Sequence, residues 1–167
     1  LVSAQITFWA AMALAGWSWA AAVAQSLSPA QLPVGGQVTA GVAKIEQSNA
    51  VMAITQSSAR AAINWQSFHV GGQAKVNITQ PSSSSVLLNR ILGNSASQIF
   101  GQINANGQVI MSNPAGMYFS PTATVDVASF TATTHGISDT DFMAGNMKFT
   151  RQGATGKIIN EGRISAA

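Results

Sequence analysis

The densest polar constellation in the chain is His135-Gly136-Ile137-Ser138-Asp139-Thr140-Asp141. An imidazole and two carboxylates so close together are the groups that ligate a metal or exchange protons. The same spacing also fits a helix start. Ser138 and Asp141 stand in capping-box register, Asp139 falls in the positively polarised first turn, and Gly145 follows Phe142, Met143 and Ala144 at a C-cap position. The helix cap is the preferred reading, because Glu46, Asp126 and Glu161 are isolated and His69 stands alone in an apolar run. There is no cysteine, which removes thiolate ligands, disulfides and cysteine nucleophiles. GxSxG, GxxxxGK and HExxH are all missing, and five scattered carboxylates are poor ground for a glycosidase or lyase. No catalytic residue, cofactor or metal ligand is assigned.

A second short motif, Asn113-Pro114-Ala115-Gly116, is a tight-turn sequence. Proline fixes φ, glycine accepts positive φ, and the asparagine side chain can satisfy backbone N–H groups of the turn. Asn113, Pro114 and Gly116 therefore read as a structural corner.

The elements that must position such a turn are read from composition and pattern. Hydrophobic residues make up 47% of the 167 positions and charged residues only 8%, against roughly 25% in an average domain. A coiled coil or a disordered chain does not look like this. Eight Lys and Arg exceed five Asp and Glu, but the cations never form a run, which argues against a nucleic-acid partner.

Ile6 to Ala24 is uncharged and rich in alanine and ends Ala22-Val23-Ala24-Gln25, the small-x-small pattern that signal peptidase reads. Residues 1–24 are expected to be a signal peptide that engages the inner-membrane export machinery and is cleaved between Ala24 and Gln25. The chain opens on Leu1, so the basic n-region is expected to lie upstream. A membrane anchor is the rival, disfavoured by the many alanines and by the lack of a flanking positive charge. Residues 25–32, with Pro29, are expected to be a linker.

From residue 33 to 167 the chain offers short alternating runs broken by Gly, Asn and Pro, with no sustained helical period. In Gln73–Thr79, Ala74, Val76 and Ile78 share one face. Other runs are Ile63–Val70, Gln108–Met111, Ala123–Val127 and Lys157–Ile164. Gly-Gln recurs at Gly36, Gly72, Gly101 and Gly107 at irregular spacing. That suits a solenoid of short stacked strands, and a β-sandwich fits nearly as well. Pro81-Ser82-Ser83-Ser84-Ser85 is expected to be a flexible surface loop.

Several ordered segments resemble one family. Trp65-Gln66-Ser67-Phe68, Leu88-Asn89-Arg90-Ile91, Ser97 to Ile103, Ala105 to Val109, Ser112 to Phe119 and Ile137 to Asn146 are similar to the N-terminal secretion domain of filamentous-haemagglutinin-like exoproteins. Asn113, Pro114 and Gly116 match the family's Asn-Pro-Asn-Gly-Ile motif, while Ala115 and Met117 depart from it; the resemblance thus implies these three as candidate site residues, a structural corner first and a transporter-recognition determinant second. The resemblance implies an all-β, right-handed parallel β-helix with N-terminal capping strands. It implies two-partner secretion: a cognate outer-membrane β-barrel transporter recognises the domain through periplasmic repeats, and the domain nucleates β-helix folding of a passenger at the cell surface of a Gram-negative bacterium. Through that passenger, an adhesin, cytolysin or toxin, the protein would meet host or bacterial surfaces. The alternative is a self-standing adhesin or carbohydrate-binding β-helix. Lys157 to Ser165 is expected to be one uncapped strand, leading into a longer β-helical protein.

Overall fold

The computed structural model describes residues 26–167. Fourteen strands and one short helix form three sheets that the chain visits in rotation, a parallel β-solenoid of about three turns. The first full coil is β5 (Lys75–Thr79), β6 (Val86–Ile91) and β7 (Ser97–Ile99). The second is β8 (Gln102–Ala105), β9 (Gln108–Ser112) and β10 (Gly116–Phe119). The third is β11 (Thr124–Val127), β12 (Ser129–Thr133) and β13 (Lys157–Asn160), after which β14 (Arg163–Ala166) begins another. Every contact between these coils is parallel and in register.

The N-terminal end is built differently. β3 (Val51–Gln56) and β4 (Arg60–Trp65) start the parallel ladders, and antiparallel strands cover them. β2 (Ala43–Ser48) pairs with β3, and β1 (Gln37–Ala40) pairs with β4. Sheet I therefore runs β1-β4-β6-β9-β12, sheet II β13-β10-β7, and sheet III β14-β11-β8-β5-β3-β2. Capping with antiparallel strands removes an apolar, unpaired end of the stack.

Register turns the alternation seen in the sequence into columns. Met52, Val76, Ile103 and Val125 stack inward in sheet III and are all buried; Ile164 is the next position. Ala61, Leu87, Val109 and Phe130 stack likewise in sheet I. On the outer face of sheet III, Asn104 Nδ2 donates to Asn77 Oδ1 at 3.0 Å, one coil apart. Neutral amides can stack this way, whereas like charges directly opposite would repel.

Four expectations change in detail. Lys157–Ile164 is two strands in two sheets, because the chain turns a corner at Glu161-Gly162, where Asn160 Oδ1 accepts from Gly162 N at 3.1 Å. The Ile63–Val70 run leaves its ladder after Trp65. Phe68 then plugs the core end edge-to-face on Trp65 at 5.3 Å, and Val70 bridges to Ile99. Ser82–Ser85 is a closed turn with Ser85 buried; Ser82 N donates to Ser85 Oγ and Ser85 N to Ser82 O, both at 3.1 Å. Residues 26–32 run against the N-terminal end: Leu32 is in the core, Gly71 N donates to Gln31 O at 2.9 Å and Gln73 N to Pro29 O at 2.8 Å.

Candidate functional site

The Asn113–Gly116 turn links β9 in sheet I to β10 in sheet II, and its asparagine points inward. Asn113 is fully buried, and its amide bonds on both sides. Nδ2 donates to Ser95 O at 3.1 Å and to Ser97 Oγ at 2.9 Å in the preceding coil; Oδ1 accepts from Ala115 N at 3.0 Å within the turn. The backbone closes as Gly116 N donates to Asn113 O at 2.9 Å. Gly116 has φ +104°, and a Cβ there would sit 2.5 Å from Lys157 O in the coil above. Only glycine accommodates both the angle and the approach.

The turn also holds the coil that follows. Asn113 N donates to Thr133 O at 3.0 Å, and Gly156 N donates to Pro114 O at 3.1 Å. Thr133 ends β12 and Gly156 precedes β13, so the turn grips both ends of residues 134–155. One corner thus fastens three successive coils. Pro114 supplies a carbonyl to the stack, and Asn113 and Gly116 do the rest.

The His135–Asp141 constellation belongs to that same excursion. α1 (Asp139–Met143) is capped by Ser138, whose Oγ accepts from Asp141 N at 3.1 Å and donates to Asp141 Oδ2 at 2.8 Å. Gly145, at φ +80°, follows its C-cap. Asp139 is ion-paired with Arg90 Nη2 at 2.8 Å. One carboxylate is spent on the cap and the other on an arginine. Among the described residues no group of three or more His, Asp or Glu converges as a metal site would.

His69 lies in an open groove of about 530 Å³ with Ser26, Leu27, Ser28, Gln31, Ser95 and Gln98. Its Nδ1 accepts from Gln98 N at 3.1 Å, next to the point where Val70 bridges the same edge of β7 through its backbone. Burial lowers the His69 pKa below its ordinary 6.5. On the outer face of sheet II, Tyr118 OH donates to Glu161 Oε2 at 2.6 Å, which, with a smaller effect of burial, raises the tyrosine pKa above 10.0.

Ala24 and Gln25, the expected cleavage residues, lie outside the described residues. Sequence reasoning did not assign Arg60 or Arg90, whose partners are far along the chain. Arg60 Nη1 donates to Phe142 O at 3.3 Å, and Arg90 donates to Ile137 O at 2.8 Å as well as to Asp139. Isolated arginines in strands give no local signal of such contacts. Trp65 Nε1 donates to the buried Asn89 Oδ1 at 3.0 Å, a second cross-coil bond invisible in the pattern.

A family model described as TPS secretion domain matches residues 24–167. Two heme/hemopexin-binding proteins of Haemophilus influenzae are similar in sequence. One is 37% identical over 140 residues, covering 82% of this chain and 15% of the relative. The other is 36% identical over 123 residues, covering 73% of this chain and 13% of the relative. The crystal structure of the HMW1 secretion domain from Haemophilus influenzae superimposes with a TM-score of 0.75 at 30% identity, covering 79% of this chain and 36% of that one. The chain thus spans about 15% of the length of the first curated relative.

Proposed function

The chain belongs to the TPS secretion domain family of large exoproteins, and from that premise we propose that it is read by a cognate outer-membrane β-barrel transporter and then templates β-helix folding outside the cell. The templating role rests on the in-register columns. Sheets II and III reach β13 and β14 with Ile158 and Ile164 exposed by 41% and 37%. Each continues an inward column, Ser97–Met117–Ile158 in sheet II and the Met52–Ile164 column in sheet III. A further coil laid on these residues buries them and pairs the outer backbone groups of β13 and β14, so a finished coil lowers the entropic cost of the next.

On this reading the protein passes the inner membrane by a signal cleaved after Ala24, crosses the periplasm, and is released at or from the surface of a Gram-negative bacterium. The family match beginning at residue 24 fits a mature start at Gln25. The ligand in the relatives' name describes proteins many times longer than this chain and is not carried over. The domain works by recognition and folding, without a catalytic step.

Co-expression of the chain with its cognate transporter, against the same cells lacking the transporter, tests the proposal. Release into the medium only with the transporter, as a product whose mass begins at Gln25, is the expected result. Equal release without the transporter, or binding of a surface glycan by the isolated chain with no affinity for the transporter's periplasmic repeats, would favour a self-standing binding module.

A further inference from the structure

Of the chain's ten asparagines, Asn106 alone is followed by glycine. Asn106-Gly107 turns the corner from β8 in sheet III to β9 in sheet I. The β5–β8 ladder runs in register as far as Ile78 and Ala105, and there the upper main chain bends away. The Asn106 side chain supplies the next rung. Its Oδ1 accepts from Gln80 N at 2.7 Å, and its Nδ2 donates to Gln80 O at 2.8 Å. A carboxamide presents an acceptor and a donor side by side, as a peptide unit does. An aspartate in its place would keep the acceptor, lose the donor and set a negative charge against Gln80 O.

Gly107 is fixed by close approach. A Cβ there would lie 2.6 Å from Gln80 Oε1 and 2.9 Å from Ser82 O. Gln80 is buried, and its Nε2 is committed to Gln56 Oε1, Ser85 O and Gln108 O, so its amide has nowhere to move. The corner is also held from both neighbouring coils. Gly107 O accepts from Ala128 N above at 3.0 Å, and Gln108 N donates to Ser85 O below at 2.8 Å. The fold thus calls for a carboxamide at 106 and no side chain at 107. That pair is chemically labile, because a glycine nitrogen attacks the preceding carboxamide without a Cβ in the way.

We propose that Asn106 is a self-modification site, active in the unfolded chain and switched off by the folded corner. In the unfolded chain Gly107 N gives its proton to water or hydroxide and bonds to Asn106 Cγ. The Cγ–Nδ2 bond breaks, Nδ2 takes a proton and leaves as ammonia, and a cyclic succinimide remains. Water then opens the ring at either carbonyl, giving aspartate or isoaspartate at position 106. One water is consumed and one ammonia released, with no oxidant or reductant. In the folded chain Asn106 Cγ cannot turn to Gly107 N without breaking both bonds to Gln80. Either product spoils the corner, since isoaspartate lengthens the main chain by a methylene between points held above and below. A chain that stays unfolded is progressively lost to winding, whereas a wound chain is kept. The inference holds whether or not a transporter reads the domain.

The test needs no variant. Wild-type chain is held at mildly alkaline pH, folded in buffer and unfolded in urea, with each state checked by circular dichroism. Peptide mass spectrometry follows amide-to-acid conversion at each asparagine, and protein isoaspartyl methyltransferase reports isoaspartate. In urea Asn106 should convert ahead of the other asparagines, including Asn104, which precedes alanine. Two hydrogen bonds of ordinary net strength make its conversion roughly tenfold to a hundredfold slower in the folded chain. Ion exchange then separates chains converted at Asn106 from unconverted chains of the same incubation. The unconverted chains should refold like fresh protein, and the converted ones in lower yield and with a lower Tm. Equal conversion of Asn106 in the two states, or converted chains that refold and melt like fresh ones, would overturn the proposal.

Discussion

Asn113 Nδ2 reaches back a full coil to Ser97 Oγ at 2.9 Å, so the turn after β9 is tied to the strand beneath it by a side chain with no exposure. Removing the amide leaves Ser95 O, Ser97 Oγ and Ala115 N without this partner. Ser97 is fully buried, and a buried polar group so stranded costs about 1–3 kcal/mol, while exposed Ser95 and half-buried Ala115 add less.

Asn113→Ala should therefore lower stability by on the order of 3 kcal/mol and reduce secretion through the folded fraction. Thermal melts and transporter pull-downs on the purified variant check this. Wild-type melting combined with lost transporter binding would make Asn113 a contact residue instead.

Gly116→Val should be at least as damaging. A β-branched residue at φ +104° pays on the order of 1–2 kcal/mol for the backbone alone, before its Cβ meets Lys157. The step from β10 to β13 should loosen first, so hydrogen exchange at Lys157–Asn160 should rise more than at β5. Uniform exchange across the coils would contradict that assignment.

His69 gives the N-terminal end a pH dependence of known sign. Its folded-state pKa lies below 6.5, so the unfolded chain takes up the proton first as pH falls. Stability contributed by the neutral imidazole is present above pH 6.5 and is lost as pH drops through the folded pKa. Protonation at Nδ1 also breaks the bond from Gln98 N, and no carboxylate lines the groove to compensate. Urea midpoints from pH 7.5 down should fall more steeply for wild type than for His69→Gln. Parallel curves would remove His69 as the cause.

Tyr118 is the chain's single tyrosine, so phenolate absorbance reports it alone. Its midpoint should lie above 10.0, and Glu161→Gln should move it down toward that value, since the carboxylate is the first acceptor of its proton. An unchanged midpoint in the variant would show that the hydrogen bond is not kept in solution.

Much of the solenoid was legible where one face of a strand meets water. Val76 and Ile78 alternate with Lys75, Asn77 and Thr79, and they are inward and outward as the pattern says. Val86-Leu87-Leu88 showed no alternation because the excursion covers the outer face of sheet I and buries both sides of β6. The antiparallel cap was hard to see for the opposite reason: β2 is a half-exposed edge whose Lys44 and Glu46 pair in solvent at 2.8 Å. Periodicity alone left sandwich and solenoid nearly even, because it reports which way a side chain points and not which strand lies beside it. The Ser138 cap was fully local and therefore readable. The three-coil grip of Asn113 depends on Ser95, Ser97 and Thr133, none of them adjacent in sequence, and only the turn itself could be inferred.

The parallel ladders have a mechanical consequence. Hydrogen bonds between coils point along the solenoid axis, so tension along that axis on the chain at β14 loads its ladder to β11 one rung at a time, as a zip, instead of shearing all rungs together. Coils then come away singly, β14 before β13. The Asn113 corner is the first tooth that resists, because it fastens three layers at once. A molecule made this way can be paid out through a narrow opening as a thread and wound up again on the far side.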